Sequence, residues 1–175
     1  MARTRASVVA AVAAAWALGT LVAGVAAWWQ AGRWPLGPAG VDLYVRVEEV
    51  VDGDTLVVAR GDGIDVVRVL GIDTPETVHP DRPVECFGPE ASRYVRSRLE
   101  GRRVRLELDR VPRDRYGRLL AHVHLDGRLL SDELLRLGYA RLLVIPPNHR
   151  HGRALLRAEL EARAAGRGLW GACPG

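Results

Sequence analysis

Between Val50 and Thr77 the chain reads VVDGDTLVVARGDGIDVVRVLGIDTPET, with carboxylates at both ends of a hairpin pattern. Asp52 and Asp54 precede one alternating apolar segment, Thr55–Ala59, and Asp73 and Glu76 follow a second, Ile64–Ile72. Gly61-Asp62-Gly63 is the turn signal between them, and a hairpin brings its two open ends together. Carboxylate oxygens gathered in this way suit a hard cation, and Arg68, inside the second segment, suits an anionic substrate. Plainer readings stand beside this one. Asp-Gly is a common turn pair, Asp73 can cap the Thr74-Pro75 turn, and Arg68 can pair with Asp65.

The elements that must position these groups follow from periodicity. Tyr44–Val51, Leu56–Ala59 and Ile64–Gly71 read as three strands. Thr74–Phe87 carries three prolines and breaks regular structure. Gly88-Pro89-Glu90-Ala91 opens a helix that runs to about Leu99 and stops at Gly101. Arg103–Leu108 and Leu119–Leu125 alternate as strands four and five. Leu129–Leu137 is a helix closed by Gly138, and Tyr139–Ile145 is a short apolar segment ended by Pro146-Pro147. Arg153–Ala165 is a last amphipathic helix. Five short strands with a helix inserted after the third indicate an α+β fold, a five-stranded OB-fold β-barrel with about three helices.

All basic residues are arginine. The chain carries 25 basic and 21 acidic residues, but Arg3, Arg5 and Arg33 precede residue 41 and every acid follows it. The body is therefore nearly neutral, which excludes overall basicity as an argument for nucleic-acid binding and leaves only local sites. Ser7–Trp29 has no charged residue, and its 23 residues would span about 34 Å as a helix, enough for a bilayer core. Arg3 and Arg5 before it, and Trp28, Trp29 and Trp34 at its far end, fit a transmembrane signal anchor with the body outside the cytoplasm. Val25-Ala26-Ala27 leaves a cleaved signal peptide as the alternative. The expected organisation is a basic terminus (1–6), one transmembrane helix (7–29), a Gly/Pro-rich linker (30–41), the barrel domain (42–172) and a short tail (173–175).

Four motifs occur in order: Asp52-Gly53-Asp54-Thr55; Arg68 with Asp73-Thr74-Pro75-Glu76-Thr77; Phe87-Gly88-Pro89-Glu90-Ala91; and Asp114-Arg115-Tyr116-Gly117-Arg118. In this order they resemble the staphylococcal nuclease (thermonuclease) family, from about Val45 to Gly168-Leu169-Trp170. The resemblance implies an OB barrel with three helices and a Ca2+-dependent hydrolase that attacks phosphodiester bonds of DNA, with RNA as a further candidate, and leaves 3′-phosphate products. It assigns Asp54, Asp73 and the Thr74 carbonyl to the metal and Glu76 to the attacking water. Arg68 and Arg118 would clamp the scissile phosphate, and Arg115 and Tyr116 would meet a terminal phosphate. The physical case agrees: a cation and two planar guanidiniums offset the charge that repels hydroxide from a phosphodiester.

Two departures from the family pattern matter. Val144, Ile145 and Pro146 stand where the best-known members present tyrosines against the nucleotide, so base stacking there is expected to be weaker. Cys86 and Cys173 are additional; in an exported chain two cysteines commonly pair, and a disulfide is expected, with two free thiols as the alternative. His149 and His151 lie in a short loop without a third ligand in sight, and His122 and His124 share a strand face without a supporting cluster. None of the four is assigned chemistry. The reading is a monomeric, membrane-tethered nuclease. Its runner-up is a non-catalytic module of the same fold that binds nucleic acid or protein.

Overall fold

The computed structural model describes residues 40–78, 81 and 83–173. The Ser7–Trp29 segment lies outside them, and among the described residues no helix is long and apolar enough to cross a membrane. The elements are β1 (Asp42–Val50), β2 (Thr55–Arg60), β3 (Gly63–Val69), β4 (Gly71–Asp73), α1 (Gly88–Leu99), β5 (Arg103–Arg113), β6 (Leu119–Leu125), β7 (Arg128–Leu129), α2 (Leu130–Leu137), β8 (Arg141–Leu143), α3 (Gly152–Ala164) and α4 (Leu169–Ala172).

Strands β3, β2, β1, β5 and β6 are hydrogen-bonded in that order, and a parallel β3–β6 pairing closes them into a five-stranded barrel. Closure follows from the alternation. Leu56, Val58, Val67, Val69, Leu106, Ala121 and Val123 point inward and are buried, so the sheet must wrap around them. A register shift between Val47 and Glu49 lets both Val47 and Val50 reach the core.

Two elements differ from the sequence-based expectation. The third segment divides: Leu70 N–H still donates to Ala121 O, after which Gly71–Asp73 leaves the barrel and pairs with β8. The fourth strand runs to Arg113 rather than Leu108, because a register shift between Leu108 and Arg113 interrupts the simple alternation that marks a strand.

Helix α1 starts with Pro89, carries Glu90 in its first turn and Arg96 and Arg98 in its last, all favourable to the helix dipole. Ala91, Val95 and Leu99, four residues apart, form its buried stripe. It is tied to α2 by Glu133, which accepts from Arg98 Nε at 3.0 Å, Arg98 Nη2 at 3.3 Å and the Tyr94 hydroxyl. Cys86 and Cys173 form a disulfide with a Cα–Cα distance of 5.9 Å, joining the chain after α4 to the loop before α1.

Candidate active site

The β2–β3 pairing sets Thr55 opposite Arg68, which places Asp54 at the mouth of the hairpin beside that guanidinium. Asp54 is 2 % exposed. Its Oδ2 accepts from Thr74 N–H at 2.9 Å and from Thr74 Oγ1 at 3.1 Å, while Oδ1 accepts from Thr55 Oγ1 at 3.2 Å and pairs with Arg68 Nη1. The other arm of Arg68, Nη2, reaches Asp73 Oδ1 at 2.8 Å. Asp54 and Asp73 therefore face one position, and a cationic group already sits between them. Their donor set is oxygen only, which fits a hard divalent cation; this guanidinium contact is the structural sign that both carboxylates are aimed at positive charge.

Gly53 permits the closeness of this arrangement. A Cβ there would lie 2.6 Å from Thr74 Cγ2, so any side chain would push Thr74 off Asp54. Asp52 Oδ1 accepts the Asp54 N–H at 3.0 Å and makes the turn. Burial pushes the Asp52 carboxyl above its ordinary range, with Glu76 acting in the same direction and Thr55 and Arg68 opposing it. Asp52, Arg68 and Glu76 thus share one electrostatic neighbourhood.

Glu76 sits in the loop that follows β4. Its Oε1 accepts Thr77 N–H and Val78 N–H, both at 2.9 Å, so the carboxylate is oriented by its own turn. The loop is braced by Glu85, whose N–H donates to Glu76 O at 2.9 Å and whose Oε2 accepts Glu76 N–H at 3.3 Å. Gly88, the first residue of α1, packs directly under it: a Cβ there would lie 2.7 Å from Thr77 Cγ2 and 3.0 Å from Pro75 O. Gly88 is the helix start and motif glycine expected from sequence, and the structure adds its packing under the Glu76 loop; Glu85, which carries no sequence signal for this brace, was not expected.

The closing β3–β6 pairing sets Arg68 opposite Leu120. Arg118 lies just before β6, at the end of that strand that runs beside Val67–Val69. Asp114 holds it, accepting Arg118 Nε at 2.7 Å and Arg118 N–H at 3.0 Å. Asp114 also accepts Tyr116 N–H at 2.9 Å and so builds the whole Asp114–Arg118 turn. Arg115 Nη2 donates to the Tyr116 hydroxyl at 2.6 Å, and the guanidiniums of Arg115 and Arg118 lie 4.8 and 5.7 Å from the Tyr116 ring centroid. The ring itself is 69 % exposed, leaving it open to a ligand. Arg68 does not use Asp65, which is taken by Arg60 at 2.6 Å and Arg113 at 2.9 Å.

One expectation is corrected. His122, His124 and His151 do not lack a supporting cluster: Glu107, His124 and His151 converge, with all ligand atoms within 4.8 Å of one another. The sequence could not show this, because His151 reaches the β5–β6 face from the far side of the β8–α3 loop. His149 is not part of the group.

The closed five-stranded barrel thus carries two carboxylates bridged by one arginine at a hairpin mouth, and a second arginine braced by Asp114 just before β6. Residues 66–172 match the family model described as staphylococcal nuclease homologue. The thermonuclease of Staphylococcus intermedius is 40% identical over 124 residues, covering 71% of this chain and 74% of that protein. The thermonuclease of Staphylococcus hyicus is 37% identical over 125 residues, with the same coverage of 71% and 74%. The SPbeta prophage-derived endonuclease YokF of Bacillus subtilis is 38% identical over 128 residues, covering 72% of this chain and 43% of that protein. The chain belongs to the staphylococcal nuclease family.

Proposed function

We propose that this chain is a Ca2+-dependent nuclease that hydrolyses phosphodiester bonds of DNA, with RNA as a second candidate substrate. Family membership and the names of its relatives make it a hydrolase of the nuclease class. The observation that carries the metal reading is Arg68 bridging Asp54 and Asp73, two carboxylates aimed at one cationic position.

Asp54, Asp73 and Thr74 would hold the cation, which when bound supplies Lewis-acid polarisation of the phosphate. Arg68 then exchanges carboxylate partners for phosphate oxygens, and Arg118 takes a second side of the phosphate from its Asp114 brace. The planar fork of arginine suits two oxygens at once. Glu76, held by its turn, orients a water and accepts its proton as the oxygen attacks phosphorus. The bond between phosphorus and the 5′-oxygen breaks, that oxygen takes up a proton from solvent to leave as a 5′-hydroxyl, and the phosphate stays on the 3′ side. Arg115 and the exposed Tyr116 would meet a terminal phosphate of the bound strand. Ile145, 62 % exposed and aliphatic, offers no ring for stacking, which supports weak base selectivity.

Export by Ser7–Trp29, kept as an anchor, with action as a monomer, belongs to the same proposal. The Cys86–Cys173 disulfide supports an oxidising compartment. The test is digestion of single-stranded DNA, double-stranded DNA and RNA by the full chain with Ca2+, with Mg2+ and with chelator. Cleavage is expected with Ca2+ and is lost in chelator. Undiminished cleavage in chelator overturns the metal assignment, and no cleavage with any ion favours a non-catalytic binding module.

A further inference from the structure

A second group of ligating side chains lies apart from the residues assigned to phosphodiester cleavage. Glu107 on β5, His124 on β6 and His151 at the entry to α3 place their ligand atoms within 4.8 Å of one another. One carboxylate oxygen is the focus: Glu107 Oε2 lies 2.9 Å from His124 Nε2 and 3.1 Å from His151 Nε2. The other oxygen, Oε1, is held by Arg150 Nε at 3.2 Å, which leaves Oε2 turned to the two imidazoles.

The group is built into the fold. The β5–β6 register sets Glu107 opposite His122 and Arg105 opposite His124, so Glu107 and His124 occupy one face. The segment leading into α3 is fastened to β5 by Asn148, whose side chain bonds both Val111 N–H and Val111 O at 2.8 Å. Asp109 Oδ2 accepts Arg150 N–H at 3.1 Å in the same segment. An independent feature points to the same place. His122, 2 % exposed, makes no hydrogen bond with either ring nitrogen; its Nε2 is 3.7 Å from Asp109 Oδ2, and its ring packs edge-on against His151 at 4.5 Å. A buried imidazole with both nitrogens unpartnered, set against the half-buried His151, is a polar group suited to water or a ligand in the cluster.

We propose that Glu107, His124 and His151 bind a borderline transition-metal ion of the Zn2+ class, distinct from the all-oxygen position at Asp54 and Asp73. Two imidazoles and one carboxylate are the donor set such ions select, whereas Ca2+ prefers oxygen. Bonds of about 2.0–2.1 Å to a tetrahedral ion separate its ligands by about 3.4 Å, so each Glu107–histidine pair need open only slightly from 2.9 and 3.1 Å, while the two imidazole nitrogens, within 4.8 Å of each other, would draw together onto the ion. His151, whose side chain is 28% exposed, is the member of the group nearest solvent. The bound ion links β5, β6 and the start of α3, and so pins the carboxy-terminal helices to the barrel.

The same contacts would arise if Glu107 only shared protons with its histidines, and the experiment separates the two. Metal-stripped full chain is titrated with Co2+ in the presence of excess Ca2+, followed by visible absorption and by the thermal midpoint. Binding of one equivalent with intense tetrahedral bands, displaced by Zn2+ and accompanied by a rise in midpoint, is expected. His151→Ala, at a partly exposed position, should weaken affinity by more than about 10-fold while far-UV circular dichroism stays unchanged. Glu107→Gln should do the same, and Asp54→Asn should leave it intact. Absence of one-equivalent binding, or binding that survives both His151→Ala and Glu107→Gln, overturns the proposal.

Discussion

Arg68 has two sets of candidate partners and cannot serve both. Its guanidinium bridges Asp54 and Asp73, so in the proposed mechanism a turn to phosphate would leave those carboxylates to the cation. Removing Arg68 or Arg118 by substitution to alanine should lower kcat/KM by about 10²–10³, or about 3–4 kcal/mol of transition-state stabilisation, by analogy with an oxyanion-hole donor. Substitution to lysine should recover only part of this, since an ammonium is a point charge without the fork. If the proposed Ca2+ site is right, the two Arg68 variants should also differ in Ca2+ affinity, because the guanidinium and the ion would compete for the same oxygens; calcium titration of the chain measures this. Gly53→Ala is expected to act on Thr74 rather than on chemistry directly: the new methyl meets the Thr74 side chain at 2.6 Å. Weaker Ca2+ binding together with reduced activity is the expected outcome, read by the same titration.

At the scale of elements, the loop carrying Glu76 depends on α1 and Glu85, and α1 in turn depends on α2. Glu133 joins the two helices through Arg98 and Tyr94. Burial works to raise the Glu133 carboxyl, but hydrogen bonds from Arg98 and Tyr94 outweigh it and hold the group below its ordinary range. Burial and then Glu133 push the Tyr94 hydroxyl up to about 12. Because the folded Glu133 pKa lies below the unfolded one, its contribution is complete above the ordinary value of 4.5 and is lost as the pH falls through the folded value. Glu133→Gln should cost about 1–3 kcal/mol near neutrality and flatten the acid limb of stability against pH below that point, measured by urea unfolding across pH. The expected helices and most strand ranges could be read locally, because periods of 2 and 3.6 are properties of neighbouring residues. The β4–β8 pairing could not be read in this way, since it joins residues about 70 apart in the chain and depends on where α2 delivers the return segment.

At the scale of the molecule, the disulfide spans 87 residues and fastens the chain end to the loop before α1. Reduction should lower stability by about 2–4 kcal/mol, seen as a shift of the denaturation midpoint between oxidised and reduced chain at unchanged pH. The effect on activity should come through the Thr74–Phe87 loop, which carries both Glu76 and Cys86.

The sequence by itself determined the alternating strands, the hairpin with carboxylates at its mouth, the start of α1 and the motif order that marks the family. These are local patterns, set by side-chain chemistry over a few residues. Only the tertiary structure decided that the start of β6, next to Arg118, runs beside Arg68, that Arg68 lies between Asp54 and Asp73, and that His151 meets Glu107 and His124. Each of these depends on barrel closure through β3–β6 or on the docking of the segment before α3. The free energy of such contacts comes from burying a shared core, which no short stretch of sequence contains.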